Sequence, residues 1–556
     1  MGKKPAGNEL DRFFGVRSPR LGVVTGGSLS RGLDVKIDPQ NDIENLAVGR
    51  YVVVHGQRRR FFCMITDIGL ANTNPQIALN PPDMSNPLLA DVYNGSMAFG
   101  TLHLAPMLVI NEEGQVEPVR TIPPHFQEVW TATERDINDV FGDEDETHFN
   151  IGAPLELLNT QVNVDLRRLT ERSVGVFGKS GTGKSYLTRI ILAGVIARGT
   201  AVNLIFDMHN DYGWEVYNEA GGRDKGLKQL FHDRVAIFTL DESSSRRRNV
   251  RPDHVVTLAY RDIEVEDLEA LRQTLDLSDT MLDAARNLHR LWGRDWILQL
   301  INAEPDVIEE LLNVTTINGP ALMALKRRID RFRRFEFLVP QAVGDSVQAV
   351  IDCLDRGVSV VLEFGRYGNA LEAYILVANY LTRRIRERYV HRIEQSLGDE
   401  SRQPPQLMIT IEEAHKFLDP QIARQTIFGT IARELRKYKV TLLVVDQRPS
   451  AIDEEIMSQI GTRVTALLDN ERDISAVLMG VSGAAGLREV LARLDTRQQA
   501  IVLGHAVPMP VVIQTRPYDE AFYAAMGAPL KGKKLRPAAP QGGQALYGDD
   551  RFEGYD

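Results

Sequence analysis

The stretch VGVFGKSGTGKSYLTRI at 174–190 constrains the fold more than any other part of the chain. Its middle fits the pattern G-x-x-x-x-G-K-S, between a short apolar strand predicted at 173–177 and a helix predicted at 185–197. A glycine-rich turn at a helix N-terminus presents backbone N–H groups that cradle phosphates. We therefore expect Lys184 to reach the β- and γ-phosphates of a nucleotide and Ser185 to hold Mg²⁺. The residues expected to bind the nucleotide are Gly178, Ser180, Gly181, Thr182, Gly183, Lys184 and Ser185.

Composition places the chain among ordinary multi-domain globular proteins. It has 556 residues, of which 43% are hydrophobic and 25% are charged. We expect neither a signal peptide nor a membrane span, because no apolar run approaches the required length. The two cysteines, Cys63 and Cys353, stand in apolar surroundings and favour packed thiols in the cytoplasm. The net charge of −10 argues against a surface that coats nucleic acid, but a basic channel inside an acidic body stays compatible with it.

The N-terminal part of the chain has the pattern of a small β-barrel. Short β runs broken by Gly, Asn, Asp and Pro fill 21–115, and we expect them to form a barrel that docks a partner protein. Residues 1–20 are polar and basic, and 529–556 are rich in Pro, Gly and Lys, so both are expected to be flexible.

From about residue 150 the pattern changes to strands that alternate with helices. Near-continuous apolar strands predict a sheet covered on both faces, with the later strands antiparallel at one edge. The strands are expected at 201–207, 359–364, 407–412, 440–447, 463–468, 499–504 and 510–515. Helical spacing over 254–395 predicts a helical subdomain inserted between two parts of the core, 150–253 and 396–528.

The segment LMITIEEAH brings two carboxylates to the end of a buried strand. Ligands in open α/β sheets lie at the carboxyl ends of the strands. We expect Glu412 to support hydrated Mg²⁺ and Glu413 to orient and polarise the attacking water. Gln447, at the end of the next strand, is expected to sense the γ-phosphate. An exposed acidic strand end and a solvated loop glutamine are the alternatives.

The helix predicted between these two strands carries arginines. Its apolar positions are Ile422, Ile427, Ile431 and Leu435. Arg433 and Arg436 lie on or near the opposite face. Such arginines either remain solvated or stabilise charge on a nucleotide held by a neighbouring subunit. The residues alone leave both interpretations open.

Taken together, the motifs resemble the HerA family of the FtsK–HerA superfamily of hexameric DNA-translocating ATPases. GKSGTGKS, FDMHNDYG, IEEAH, IARELRK and VVDQRPS follow in order. The resemblance implies an α/β fold: a RecA-like P-loop ATPase core with an N-terminal small β-barrel and an inserted helical subdomain. It also implies ATP and Mg²⁺ as cofactors, double-stranded DNA in the channel of a homo-hexamer, and a partner nuclease, commonly NurA, on the barrel.

The resemblance assigns roles at matching positions. Glu413 becomes the catalytic carboxylate, Gln447 the sensor, and Arg433 or Arg436 the arginine that acts across the subunit boundary. Arg172, just before the first core strand, is a further candidate for the nucleotide site.

The chain departs from the family pattern at several positions. The departures are at Met208, Asn210, Leu435 and Asp446, and they indicate a divergent, bacterial-type member. His209 and Asn210 are the candidates for DNA contact. Basic clusters occur at 58–60, 246–248 and 326–334. The last is either solvated or in contact with DNA, with Phe332 and Phe335 available for stacking, whereas 58–60 is interpreted as a strand edge or a partner surface.

The motifs and the resemblance to the HerA family thus imply an ATP-driven DNA translocase or helicase that acts with a partner nuclease in DNA end processing or anti-phage defence. Two alternatives remain. One is a nucleotide-gated ring that assembles and activates an effector such as a nuclease or NADase. The other is a rotary or secretion-type ATPase, which ATPase stimulation by DNA would distinguish. A GTPase is disfavoured because N-K-x-D is missing.

Overall fold

The computed structural model describes residues 19–527, apart from 84, 87–91, 94–95, 218–220, 343, 400–402, 435–436, 482–483 and 496–497. The tail expected at 529–556 and nearly all of the arm expected at 1–20 lie outside the described residues. Within the described ranges, no helix combines the length and the apolar character that crossing a membrane requires.

The N-terminal strands form a closed antiparallel barrel. The strands are β1 (Arg20–Ser28), β2 (Gly32–Ile37), β3 (Tyr51–His55), β4 (Arg60–Asn72), β5 (Ala98–Ile110), β6 (Val116–Pro118) and β7 (Glu128–Thr131), and the short helix α1 (Pro75–Leu79) follows β4. Six of them pair in the order β2-β1-β7-β3-β4-β5, and β2 pairs with β5 to close the ring, while β6 extends β5. The prediction of a small barrel is confirmed.

The bound of 115 expected for the barrel is too short. Strand β7 lies beyond it and pairs with both β1 and β3, so the barrel closes only through residues 128–131. This pairing spans more than 100 residues from β1, which local patterns do not reveal.

Strand β4 shows how the barrel is attached to the rest of the chain. Phe61, Cys63 and Ile65 pack inside the barrel, whereas Phe62 and Met64, which alternate with them, join the main hydrophobic core. The buried Tyr51 hydroxyl accepts a hydrogen bond from Val512 N at 2.9 Å, which ties the barrel to the last strands of the core.

The core is one large mixed sheet. Its strands are β8 (His148–Pro154), β9 (Val162–Asp165), β10 (Val174–Phe177), β11 (Val202–Asp207), β14 (Val235–Thr239), β15 (His254–Val255), β18 (Ser359–Glu363), β19 (Leu407–Glu412), β20 (Val440–Asp446), β21 (Thr462–Thr465), β22 (Gln499–Gly504) and β23 (Val511–Thr515). Outside this sheet, the short strands are β12 (Val216–Tyr217), β13 (Arg223–Asp224), β16 (Leu258–Ala259) and β17 (Leu338–Val339).

The strand order is β15-β14-β18-β11-β19-β20-β10-β21-β22-β23-β8-β9. Neighbours are parallel from β15 to β21 and antiparallel from β21 to β9, as the sequence predicted. Every residue of β11, β19 and β20 is buried, because helices cover both faces of these central strands.

The remaining helices follow the barrel in chain order. They are α2 (Glu134–Phe141), α3 (Leu166–Glu171), α4 (Lys184–Arg198), α5 (Leu227–Phe231), α6 (Glu242–Arg247), α7 (Val265–Glu269), α8 (Asp279–Trp292), α9 (Trp296–Asn302), α10 (Pro305–Val314), α11 (Gly319–Ile329), α12 (Ser346–Asp355), α13 (Leu371–Gln395), α14 (His415–Leu418), α15 (Ile427–Glu434), α16 (Glu454–Gln459), α17 (Glu471–Val477), α18 (Ala484–Ala492) and α19 (Glu520–Gly527).

Helices α7–α11 make up the insertion, and its expected end at 395 is wrong, because α12 already packs against β18 and β11 of the core sheet. Strand β18 lies between β14 and β11 in the core sheet, and all five of its residues are buried. Helix α13 then packs against the core through Tyr374, whose hydroxyl bonds to the backbone of Glu412. The helical periodicity of α13 would be the same in an insertion and in the core. The sequence pattern therefore assigned α13 to the insertion, although it belongs to the core.

Candidate nucleotide-binding and hydrolysis site

The glycine-rich loop connects buried β10 to the N-terminus of α4. Gly183 caps that 15-residue helix in a left-handed conformation, with φ of 88°. Thr182 is buried and its hydroxyl donates to Lys179 O at 2.7 Å, and a Cβ on Gly178 would lie 2.7 Å from that hydroxyl. Gly178 and Thr182 therefore shape the loop, which opens the N-terminus of α4 towards an anion.

Lys184 and Ser185 begin α4 and face the same cleft. Lys184 Nζ donates to Lys179 O at 2.9 Å, so the side chain folds back over the loop. Burial lowers the pKa of Lys184, and the charges of Glu413, Asp446 and Glu412 oppose this shift. Ser185 Oγ lies 3.5 Å from a carboxylate oxygen of Asp211.

The two glutamates at the end of β19 occupy different environments. Glu412 is buried: its Oε1 accepts a hydrogen bond from the Tyr212 hydroxyl at 2.8 Å, while its Oε2 has no hydrogen-bond partner among the described residues. Burial, followed by the charge of Asp207, raises the pKa of Glu412 to about 8. Glu413 has a left-handed backbone with φ of 49°, and Gln447 Nε2 donates to its two carboxylate oxygens at 3.2 and 3.4 Å. This uncommon conformation for a non-glycine residue directs Glu413 towards Gln447.

A loop after β11 supplies a further acidic group that the sequence analysis did not single out. The fully buried Asp207 carboxylate accepts hydrogen bonds from the backbone N–H groups of Asp211, Tyr212 and Gly213 at 2.7, 2.9 and 3.3 Å. Burial, followed by the charge of Glu363, raises the pKa of Asp207 to about 7. The folded loop holds Asp211 beside Ser185. The sequence signal for Asp211 was its position just after β11, a parallel strand next to β19, because ligands of such sheets bind at the carboxyl ends of the strands.

Together these groups line a cleft of about 820 Å³. Of the residues predicted to bind nucleotide, those that line it are Ser180, Gly181, Gly183, Lys184 and Ser185. Asp211, Glu412, Glu413 and Gln447 line it as well. The predicted phosphate loop and the predicted strand ends thus meet at one cleft.

The oxygen groups of the cleft fit Mg²⁺. The ion prefers oxygen ligands and is commonly bound by one or two carboxylates together with substrate phosphates and water. The Ser185 hydroxyl, the Asp211 carboxylate and the unpartnered Oε2 of Glu412 supply such ligands. Among the described residues, no group of three or more His, Cys, Asp or Glu side chains is placed to hold an ion by itself.

The arginine candidates lie outside this cleft. Arg172 precedes β10, at the opposite end of that strand from the glycine-rich loop, and it does not line the cleft of its own chain. It shares a second pocket, of about 600 Å³, with Arg433 and Lys437. Arg433 Nε donates to Glu455 at 3.0 Å, and its Nη2 lies 3.7 Å from Asp453.

The helix that carries Arg433 begins later in the chain than predicted. Helix α15 spans Ile427–Glu434, so Ile422 is buried outside it and Ile431 is buried on it. Leu435 and Arg436 lie outside the described residues.

The two candidates for DNA contact, His209 and Asn210, lie in different surroundings. His209 is exposed and lines the nucleotide cleft, a placement that favours a role beside the nucleotide. Asn210 Oδ1 accepts a hydrogen bond from Gly365 N at 3.3 Å, in a left-handed turn with φ of 60°. Phe332 and Phe335 are both buried in the core, which disfavours the alternative in which their rings stack on bases.

The arginines of the basic clusters are partly engaged within the protein. Arg248 binds both carboxylate oxygens of the buried Glu363. Arg60 pairs with Asp136 at 2.7 Å and with Asp139 at 3.0 Å. Neither arginine is free to neutralise a DNA phosphate without breaking these contacts.

Comparison with known proteins agrees with these features. The family model described as "Helicase HerA, central domain" matches residues 149–385, and the HAS barrel domain matches residues 21–117. The DNA double-strand break repair helicase HerA of Pyrococcus furiosus is 24% identical over 536 residues, which cover 90% of this chain and 92% of that protein. The protein of the same name from Saccharolobus solfataricus is 22% identical over 472 residues, which cover 84% of this chain and 87% of that protein.

A solved structure of VirB4 from Thermoanaerobacter pseudethanolicus aligns with a TM-score of 0.44 at 14% identity, over 69% of this chain and 100% of that one. The two matching family models together cover more than half of the chain, in the order barrel then central domain. The chain is therefore a HerA-type ATP hydrolase.

Proposed function

We propose that the chain assembles into a homo-hexameric ring in the cytoplasm, which hydrolyses ATP with Mg²⁺ to move along double-stranded DNA in its channel. One observation supports the proposed ring. Among the described residues, no arginine lines the nucleotide cleft, whereas Arg172 and Arg433 share a separate pocket. A phosphoryl-transfer site of this kind gains much of its rate from an arginine that another subunit can supply.

For hydrolysis, the cleft must bind the phosphates, hold Mg²⁺ and activate the attacking water. Lys184 and the loop N–H groups bind the β- and γ-phosphates, and Ser185, Glu412 and Asp211 hold Mg²⁺, which neutralises phosphate charge. Glu413, oriented by Gln447, accepts a hydrogen bond from the attacking water and increases its nucleophilicity.

The second pocket suits the complementary role towards a neighbouring subunit. Its arginines and Lys437 make it positively charged, and Glu455 and Asp453 hold the Arg433 guanidinium in one orientation. The Arg433 side chain is still 24% exposed, so it can reach a phosphate. We assign Arg433 as the arginine that acts on the neighbour's γ-phosphate and Arg172 as a group that supports it.

DNA is the proposed track because the relatives are named DNA double-strand break repair helicases. The proposed partner of the barrel is a nuclease, on the strength of the resemblance to the HerA family. The barrel offers apolar contacts for such a partner, since Leu70 is 84% exposed and Leu79 70% exposed at the end of β4 and on α1. DNA end processing and anti-phage defence are both compatible with this assembly.

The test combines native mass measurement with ATP hydrolysis, in the presence and absence of double-stranded DNA. We expect a six-subunit species whose hydrolysis increases with DNA and is lost in Glu413→Gln. A stable monomer with full turnover would contradict the ring. Hydrolysis that does not respond to DNA would favour the rotary or secretion-type alternative.

A further inference from the structure

His415 lies next to Glu413, the proposed catalytic carboxylate. It is the first residue of α14, just past the end of β19, and its Nε2 is 3.8 Å from Glu413 Oε2. On the other side of the same carboxylate, Gln447 donates at 3.2 Å. Glu413 therefore lies between an amide donor and an imidazole ring. His415 is not among the residues that line the cleft, whereas both carboxylates that it contacts, Glu413 and Asp446, are, so it acts on hydrolysis through them.

Asp446 fixes the orientation of the imidazole. Its carboxylate, fully buried at the end of β20, accepts a hydrogen bond from the backbone N–H of His415 at 2.7 Å and lies 2.9 Å from the ring Nδ1. The backbone N–H of Arg448 donates to its other oxygen at 2.7 Å. Since a buried carboxylate can only accept here, Nδ1 carries a proton and Nε2 is turned towards Glu413.

We infer that His415, oriented by Asp446, is a positioning residue that holds the Glu413 carboxylate in place for hydrolysis, and that it does so as the imidazolium. The inference rests on the proposed role of Glu413. With Nδ1–H donated to Asp446, a neutral ring would present a lone pair to Glu413, and only the doubly protonated ring presents an N–H.

The charges around the ring favour this state. The hydrogen bond to Asp446 raises the pKa of His415, the charges of Asp446 and Glu413 add to the rise, and burial and Lys416 oppose it. Lys184, across the cleft, is near enough to Glu413 and Asp446 to feel both charges. As the pH rises through the pKa of His415, Nε2 loses its proton and Glu413 loses this contact. Turnover should therefore decrease on the alkaline side.

Two substitutions separate the two contacts of the ring. In His415→Gln the amide nitrogen takes the place of Nε2 and keeps a donor for Glu413, whereas in His415→Asn it takes the place of Nδ1 and keeps the contact with Asp446. We expect kcat to decrease about 10- to 100-fold in His415→Asn, as for other residues that orient a reacting group. We expect His415→Gln to retain more turnover than His415→Asn, with KM for ATP little changed in both.

The pH profile of kcat, measured on the full-length protein, is the decisive readout. The alkaline decrease should disappear in His415→Gln, because an amide does not titrate, and should move to lower pH in Asp446→Asn. Equal losses in both His415 variants with an unaltered alkaline limb would show a structural role and overturn the inference. So would parental turnover in both variants.

Glu413→Gln, assayed alongside, distinguishes a failure of the inference about His415 from a failure of the proposed hydrolysis site. If Glu413→Gln is inactive while both His415 variants resemble the parent across the pH range, only the inference about His415 fails. If Glu413→Gln hydrolyses ATP at the parental rate, the proposed site fails and the inference about His415 fails with it. ATP binding and the melting temperature of each variant show whether the fold is retained.

Discussion

Asp207→Asn tests whether the loop after β11 belongs to the metal site. The Asp207 carboxylate accepts three backbone N–H groups, from Asp211, Tyr212 and Gly213, and so fixes Asp211 beside Ser185. An asparagine at this position has nearly the same shape, but one of its two terminal atoms is a donor. At least one of the three N–H groups then loses its acceptor in a fully buried site.

The structure sets the expected magnitudes. An unsatisfied buried donor costs about 1–3 kcal/mol, so the free energy of unfolding should decrease by about that amount. Groups that orient metal ligands typically change metal affinity by about 10- to 100-fold. We therefore expect the Mg²⁺ concentration that half-saturates ATP hydrolysis to increase by about tenfold or more, while nucleotide binding without Mg²⁺ changes little.

The assay is an Mg²⁺ titration of ATP hydrolysis, with Asp267→Asn as the matched control. Asp267 is another fully buried carboxylate, but it pairs with Arg383 between α7 and α13 and does not line the cleft. Asp267→Asn should lower stability without changing the Mg²⁺ requirement. If Asp207→Asn also leaves the Mg²⁺ requirement unchanged, the loop has no part in the metal site.

Three further predictions follow from the site and the barrel. Lys184→Ala should weaken ATP binding at least tenfold, measured by calorimetric titration, because it deletes the charge that faces the phosphates. Glu413→Gln should bind ATP normally but hydrolyse it about 10²–10⁴-fold more slowly, measured by phosphate release. Burial raises the pKa of Asp207 to about 7 and that of Glu412 to about 8. The folded protein therefore keeps protons that the unfolded chain has already lost, and its stability should decrease as the pH rises from about 4 to 8, by up to about 1.4 kcal/mol per pH unit for each group; melting curves of nucleotide-free protein at pH 6 and 8 check the sign. Replacement of the exposed Leu70 and Leu79 of the barrel by Asp should abolish capture of the partner nuclease and leave ATP binding, and undiminished capture by this variant would refute docking on this surface of the barrel.

The parts of the fold that the sequence predicted are those with a local pattern. The wholly apolar strands and the glycine-rich loop identified the core sheet, and the antiparallel edge was expected. Strand β7 was missed because its partners β1 and β3 are remote in the chain. Helix α13 was assigned to the insertion because helical periodicity does not show which surface a helix covers.

The same division applies to the site. Lys184, Ser185 and Glu413 follow from motifs, because each stands at a strand end or helix start that a short pattern identifies. Asp211 and the environment of Glu412 do not, because hydrogen bonding from Asp207 and burial against Tyr212 arise only when separate strands are brought together. Arg172 was a candidate for the nucleotide site because it is near the glycine-rich loop in sequence, which does not reveal that it lies at the other end of β10 and lines the second pocket.

The shared active site is the central claim, and mixing two inactive variants tests it most directly. Arg433→Ala should fold and bind ATP but lose about 10³–10⁵-fold in turnover, as expected for a trans-acting arginine. Lys184→Ala removes the phosphate contact on the other side of the same interface. In an equimolar mixed ring, about a quarter of the interfaces pair an intact phosphate loop with an intact arginine. We predict that ATP hydrolysis reappears on mixing and is absent from either variant alone. Parental turnover by Arg433→Ala alone, or a mixture as inactive as its components, would contradict a site completed by Arg433 of the neighbouring subunit.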